Sequence, residues 1–345
     1  MKGQVESRRG PVPKELAKAY VDGHLALGLG AGVSQGSALP GWNELVCRVA
    51  EALPHIGRPS AQTLLDSGYD ATVLATILRS KVNSDPEFAN LVREALYRDF
   101  TFRPALGKSN HTQFAGHIRG TNPTLHAVGT LCGVQSDARR FCANPLIRAV
   151  MTLNIDALLE MYTRARFRVR VLRTIERAAA SASASKIHSY HVHGYLVREF
   201  TSSSRPRRAI ESDDRLILTE QQYFDVVANA NGFINYTMLH LMREYRFLFI
   251  GLSMRDPNLR RALHLSYSER VRELQAEGET FSGAQERATR HWAIMAHQNV
   301  ELDDATTILL KVLGVKPLWI KGWDEIPRML QSLYESTGRL WEEVA

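Results

Sequence analysis

Cysteine is scarce in this sequence, and the three present, Cys47, Cys132 and Cys142, form no CxxC pair. Such spacing supplies neither a disulfide framework nor a structural zinc site, and it fits a reducing compartment. Long apolar runs are missing as well: none approaches the roughly 18 consecutive residues that a membrane-spanning helix needs. The opening stretch MKGQVESRRGPVPKEL has no apolar core of the signal-peptide kind, so the expectation is a cytoplasmic protein without membrane contact. There is no internal repeat, and the Ala/Ser run at residues 178–185 reads as a surface loop. Disorder is not expected either, because 345 residues that are 44% hydrophobic and 23% charged can bury a sizeable core.

What the sequence has in excess is positive charge, +7 at neutral pH. This suggests an anionic partner, whether nucleic acid, a phosphorylated small molecule or an acidic protein. Arginine alternates at Arg164, Arg166, Arg168 and Arg170, and a second cluster falls at Arg205, Arg207 and Arg208. The plain reading is one solvated face of a strand followed by a basic loop.

The stretch HLALGLGAGVSQGSALPGW, residues 24–42, organises the rest. Leu25, Ala26 and Leu27 suit a buried parallel strand, and Gly28, Gly30 and Gly32 follow as a turn. Apolar residues then resume at Trp42, Leu45, Val46, Val49 and Leu53 with helical spacing. Strand, glycine turn and helix in that order let a backbone approach a pyrophosphate, although Gly-x-Gly-x-Gly is not the dinucleotide fingerprint and plain turns also collect glycine.

Further along, helices are expected at residues 13–21, 72–81, 86–97, 123–131, 219–230, 233–245 and 324–333. Residues 110–120, polar with two glycines, read as a mobile loop over a site. Strands are expected at residues 147–153, 167–172, 187–196, 246–250, 291–297 and 317–320. The alternation predicts an α/β fold: a Rossmann-like parallel sheet covered by helices on both faces. It would form one catalytic domain over residues 1–345, with a core at about 1–57 and 146–345 and a mainly helical insertion at about 58–145. In such sheets ligands bind beyond the carboxyl ends of the strands. Those ends carry Gly30 and Gly32, Asn154 and Asp156, His193 and Gly194, and Gly251 and Ser253.

Four of these ends resemble sirtuin motifs, in the family's order. GAGVSQGSALPGW (residues 30–42) resembles the sirtuin phosphate loop, TLNID (152–156) its TxNxD segment and HVHG (191–194) the segment ending in the catalytic His-Gly. FIGLS (249–253) resembles the later strand with its G-x-S turn. LNIDALLEMY, TEQQYF and GLSMRDPNLRRAL look most like the bacterial sirtuin-like proteins of anti-phage defence, which hydrolyse NAD. The resemblance implies NAD as substrate, bound by Gly30, Ala31, Gly32, Ser34, Trp42, Gly251 and Ser253. It implies catalysis by Asn154, Asp156 and His193. Cleaving the nicotinamide–ribose bond builds oxocarbenium-like charge on the sugar, which favours nearby dipoles and a positioned nucleophile. Asn154 would orient a water or ribose hydroxyl, Asp156 would hold the nicotinamide carboxamide, and His193 would act as general base near neutral pH. Asn-x-Asp after a strand is also a common helix cap. His191-x-His193 on one strand face would invite a metal, but no third ligand of suitable spacing accompanies it, and a hydrogen-bonded structural role suits His191 better.

The departures from the family pattern matter. Ala38 replaces a glycine, Asn43 replaces an arginine, and no cysteine follows Cys142, so the usual zinc module with its two CxxC pairs has no counterpart. No metal is therefore expected, and water becomes the acceptor. The leading expectation is an NAD glycohydrolase releasing nicotinamide and ADP-ribose as the NAD-depleting effector of a defence system. By family analogy it would be a homo-oligomer with a separate regulatory partner, such as a HerA-like hexameric ATPase or a nucleic-acid-guided protein. The alternatives are a protein deacylase or ADP-ribosyltransferase, or a non-catalytic subunit that senses NAD or ADP-ribose or binds nucleic acid directly.

Overall fold

The computed structural model describes residues 12–53, 56–102, 110–134, 146–176, 186–197, 216–339 and 341. Among the described residues seven strands form one sheet: β1 (Leu25–Leu29), β2 (Ile147–Thr152), β3 (Leu172–Ile175), β4 (Ile187–His191), β5 (Arg246–Ile250), β6 (His291–Ala296) and β7 (Val315–Ile320). Every pairing is parallel, in the order β3-β4-β2-β1-β5-β6-β7. The chain starts at the centre, builds outward through β2, β4 and β3, and returns to the other side of β1 at β5. The topological switch therefore lies between β1 and β5, where α/β folds place their ligands.

The helices are α1 (Lys14–Val21), α2 (Trp42–Glu51), α3 (Gly57–Asp66), α4 (Ala71–Arg79), α5 (Asp85–Tyr97), α6 (Asn110–Thr121), α7 (Pro123–Gly133) and α8 (Leu158–Phe167). After β4 come α9 (Glu220–Ala228), α10 (Phe233–Glu244), α11 (Pro257–Ala276), α12 (Phe281–Ala288), α13 (Val300–Lys311) and α14 (Ile326–Glu335). Period-two alternation divides the core. Leu25, Leu27 and Leu29 of β1 and Leu248 and Ile250 of β5 face a cluster built with α2, α7, α8 and α14. Ala26, Phe247 and Phe249 face a second cluster with α10, α11 and α13. Both faces of the sheet are thus covered, as a parallel sheet requires. Between residues 57 and 133 the described chain forms α3–α7 and no strand. No helix among the described residues is long and apolar enough to cross a membrane.

Several expectations need correction. Residues 110–120 are helix α6, not a loop: Phe114 and Ile118, one turn apart, are buried and outweigh the helix-weakening Gly116 and Gly120. The strand expected at residues 167–172 begins only at Leu172. The chain before it continues α8, which buries Leu158, Leu159, Tyr162 and Ala165 and ends at Arg168 in the left-handed conformation. Arg164 and Arg166 therefore lie on a helix rather than along a strand face. Gly28 belongs to β1, not to the turn, and leaves room for the Phe249 ring, 2.1 Å from where a Cβ would sit. Residues 178–185, Cys142, Arg205, Arg207 and Arg208 lie outside the described residues.

Candidate active site

The register of the sheet assembles the site. Leu29, the last residue of β1, pairs with Thr152 of β2 and with Ile250 of β5, and Thr152 pairs in turn with His191 of β4. Four adjacent strands therefore end at one level. Gly30, Asn154, His193 and Gly251 each stand one or two residues past it, so the four strand ends singled out in the sequence converge.

At the switch point the glycine segment meets β5 backbone to backbone. The Gly30 N–H donates to the Ile250 carbonyl and the Gly32 N–H to the Gly251 carbonyl, each at 3.0 Å. A Cβ on Gly30 would stand 2.5 Å from the Gly251 carbonyl oxygen, and one on Gly32 would stand 2.8 Å from the Gly251 Cα. Gly251 itself has a φ of 67°, which an L side chain rarely adopts. The segment does not run straight into a helix. Two short 3₁₀ turns, Ala31–Val33 and Gln35–Ser37, come before α2. Within them the Val33 N–H bonds the Gly30 carbonyl and the Ser34 N–H bonds the Ala31 carbonyl. Four of the five amides from Gly30 to Ser34 are thus occupied inside the chain, so this is a braced turn rather than a row of free phosphate donors. Ala38, where the family pattern has glycine, sits at φ 61° and ψ 20°. The family's glycine thus has a conformational reason that alanine meets only under strain. Asn122 caps α7 through the Leu125 N–H and donates to the Val33 carbonyl and Ser37 Oγ, fixing the turn from the helical side.

Asn154 is half-buried. Its Nδ2 donates to the Gly30 carbonyl at 3.0 Å and reaches Ser34 Oγ at 3.4 Å, while no donor among the described residues reaches its Oδ1. Asp156 is buried, with Oδ2 accepting from Ser34 Oγ at 2.8 Å and Oδ1 from the Leu158 N–H at 3.0 Å. Burial pushes its carboxyl pKa up, against the pull of those two donors. Tyr97 of α5 accepts from the Ala157 N–H and donates to the Leu196 carbonyl, tying together the segments that follow β2 and β4. A small crevice is lined by Ser34, Asn154, Asp156, Glu160 and His191.

His191 and His193 do not share a face, because β4 ends at His191 and the chain turns there. His191 Nδ1 lies 3.1 Å from the Asn154 carbonyl, and Nε2 lies 2.8 Å from Glu160 Oε1. A carbonyl can only accept, so Nδ1 carries a proton. Burial disfavours charge on His191, yet Glu160 outweighs it and raises the imidazole pKa. On Glu160, burial is outweighed by the His191 charge and by hydrogen bonds from His191 and Ser189, and its pKa falls. The pair is a buried ion pair that holds the Asn154 backbone. His193 meets different surroundings: its Nε2 is 3.5 Å from Asp256 Oδ2, and its ring lies edge-on to Tyr223 at 5.6 Å. Burial lowers its pKa below the ordinary 6.5, with Asp256 opposing, so the ring is neutral at pH 7 and able to accept a proton.

The structure thus gathers Gly30, Ala31, Gly32, Ser34, Asn154, Asp156, His193 and Gly251 at the strand ends. It does not gather Trp42, which lies in an apolar pocket with Leu78, Phe88, Val92 and Leu218 rather than on the crevice. Ser253 is exposed and without a hydrogen-bond partner among the described residues. Glu160, Tyr223 and Asp256 lie inside segments that carried the resemblance but had no role assigned there, and Asn122 and Tyr97 are further additions. Among the described residues no group of His, Cys, Asp and Glu is placed to hold a metal ion.

Comparison with curated proteins gives no match. Comparison with protein families matches residues 148–318 to the SIR2-like domain. The matched span runs from β2 to β7 and contains Asn154, Asp156, His193 and Gly251, and it points to NAD-related activity in general. With its seven-stranded parallel sheet and this matched span, the chain belongs to the sirtuin-like family.

Proposed function

We propose that the chain is an NAD hydrolase acting as the NAD-depleting effector of a bacterial anti-phage defence system. The observation that carries this reading is the common level of four adjacent strand ends, which brings a half-buried carboxamide, Asn154, and a neutral buried imidazole, His193, each two residues past its strand level, to the same edge of the sheet as the glycine turn. In this reading NAD is the substrate. Its pyrophosphate lies against the turn at Gly30–Ser34, with Gly251 behind it, and the ribose and nicotinamide reach toward Asn154 and Asp156. Each Asp156 oxygen already accepts one hydrogen bond and retains a lone pair for the nicotinamide amide.

The bond from C1′ of the ribose to the nicotinamide nitrogen breaks, and its electron pair goes to the ring nitrogen, which becomes neutral. A water oxygen held by Asn154 Oδ1 bonds to C1′, and its proton passes to His193 and then to solvent. NAD and water thus give nicotinamide, ADP-ribose and a proton. No general acid is needed, because the ring nitrogen starts cationic and leaves as a neutral group once it takes the bonding pair. Water as acceptor follows from the missing CxxC pairs. An effector of this kind needs restraint, so the proposal includes homo-oligomerisation and a separate regulatory partner, with residues 1–345 as one catalytic domain.

The test is nicotinamide release from NAD by the purified chain, alone and with co-purified partners. Turnover lost in Asn154→Ala and His193→Ala supports the reading. Unchanged turnover in either variant, or none under any condition, overturns it. Formation of O-acyl-ADP-ribose from an acylated peptide would instead assign a deacylase.

A further inference from the structure

Asp256 is the N-cap of α11, and two donors fix its carboxylate. Oδ1 accepts from the Leu259 N–H at 2.8 Å and Oδ2 accepts from the Tyr223 hydroxyl at 2.8 Å. The N-terminal end of a 20-residue helix favours negative charge at that place. The same Oδ2 stands 3.5 Å from His193 Nε2, and the two side chains are only 13% and 11% exposed. A neutral imidazole favours Nε2–H only weakly on its own; a fixed carboxylate beside Nε2 makes that preference strong.

We propose that Asp256 is the positioning residue of the hydrolytic site: it holds His193 with the proton on Nε2, so that Nδ1 presents the lone pair to the substrate. Tyr223 keeps the carboxylate aimed by holding Oδ2 and by standing edge-on to the imidazole. This role rests on the hydrolysis reading, with His193 as base. The separation is long for a hydrogen bond, and bonds of this kind tighten when substrate binds. The ionisable groups around the ring are Asp256 at the start of α11 and Tyr223 of α9, with Asp70, the cap of α4, acting on Tyr223. Of these, Asp256 is the charge that acts on His193, and it favours the protonated ring.

The experiment compares wild type, Asp256→Asn and Tyr223→Phe by kcat/KM for nicotinamide release across pH, alongside ¹⁵N chemical shifts of the His193 ring. Asparagine keeps an oxygen to cap the Leu259 N–H. The expected loss in Asp256→Asn is on the order of 10- to 100-fold. Its acidic limb should shift to lower pH, because the charge favouring the imidazolium is gone. Tyr223→Phe should lose about two- to tenfold, the worth of one hydrogen bond. The ring shifts should report Nε2–H in wild type and a shift toward Nδ1–H in Asp256→Asn, whose amide nitrogen can only donate to Nε2. A rate within twofold of wild type, or a slower rate with an unmoved acidic limb and an unchanged tautomer, reduces Asp256 to a helix cap and overturns the proposal. Should Asp256→Asn not fold, Asp256→Ser, which also caps, takes the same readouts. If wild type releases no nicotinamide, the hydrolysis reading fails on its own, and the tautomer alone decides whether Asp256 orients the ring.

Discussion

Two imidazoles two residues apart, His191 and His193, leave β4 into opposite electrostatic surroundings. The first is clamped between the Asn154 carbonyl and Glu160, with its pKa raised; the second is held loosely by Asp256, with its pKa lowered. The difference comes from reach. Glu160 projects from the first turn of α8 directly onto Nε2 and also accepts from Ser189, whereas Asp256 is already engaged by Leu259 and Tyr223 and approaches only to 3.5 Å. A carboxylate at 2.8 Å makes a structural ion pair; one at 3.5 Å leaves the imidazole neutral. In the proposed mechanism the two histidines thus divide stability from chemistry.

The sharpest way to break that division is to exchange the roles. His193→Asn should cost turnover on the order of 10²- to 10⁴-fold, the usual contribution of a general base. Its melting temperature should stay close to wild type; a fall of many degrees would make His193 structural too. Glu160→Gln should do the reverse in stability, costing about 3–5 kcal/mol because a buried imidazolium loses its counter-charge. Chemical denaturation measures it, and a loss below about 1 kcal/mol would mean that the pair is not ionised.

The pH dependence sharpens the same contrast. His191 has a raised pKa, so its stabilisation is complete below the ordinary 6.5 and fades as pH rises through the folded value. Glu160 has a lowered pKa, so its share is complete above the ordinary 4.5 and fades as pH falls through the folded value. The pair therefore stabilises most between about pH 4.5 and 6.5. His291, pushed down to about 3 by burial, works against this: the unfolded chain takes its proton first, so stability drains from pH 6.5 downward. In melting curves below pH 6.5 wild type should lose stability faster than His291→Asn, and the curves of wild type and Glu160→Gln should approach each other at alkaline pH. The smallest effect concerns the turn that follows β1. Ala38→Gly should gain about 0.5–1 kcal/mol by relieving a left-handed alanine, net of the glycine's greater chain entropy.

Much of this arrangement was legible in the sequence, because it depends on local patterns. The strand over residues 246–250 is an unbroken apolar run after one arginine, and the structure has it with the same bounds. The four strand ends also stand out, since glycine and polar residues follow apolar runs at each. What escaped depends on distant partners. Glu160 looks like any acidic residue in a first helical turn; only the arrival of Ser189 and His191 some thirty residues later makes it a counter-ion. Trp42 has the right neighbours in sequence for a cofactor wall, yet α4 and α5 offer it an apolar pocket. The alternating arginines at 164–170 satisfy a period of two as well as helical spacing, and the buried face of α8 decided between them. Helix α11 begins with an Asp-Pro start signal, but its polar sequence gives the rest little contrast to read.

The seam where Gly30 and Gly32 lie against Gly251 has one more consequence. Side chains elsewhere in the core can drift together, one growing as its neighbour shrinks. Here both partners are already at the lower limit of size, and the contact is main chain on main chain. A substitution on either side has nothing opposite that can be trimmed to accept it. In a saturation library these positions should tolerate replacement neither singly nor as compensating pairs, and the two halves of the sheet stay locked in one relative placement however freely the surrounding loops diversify.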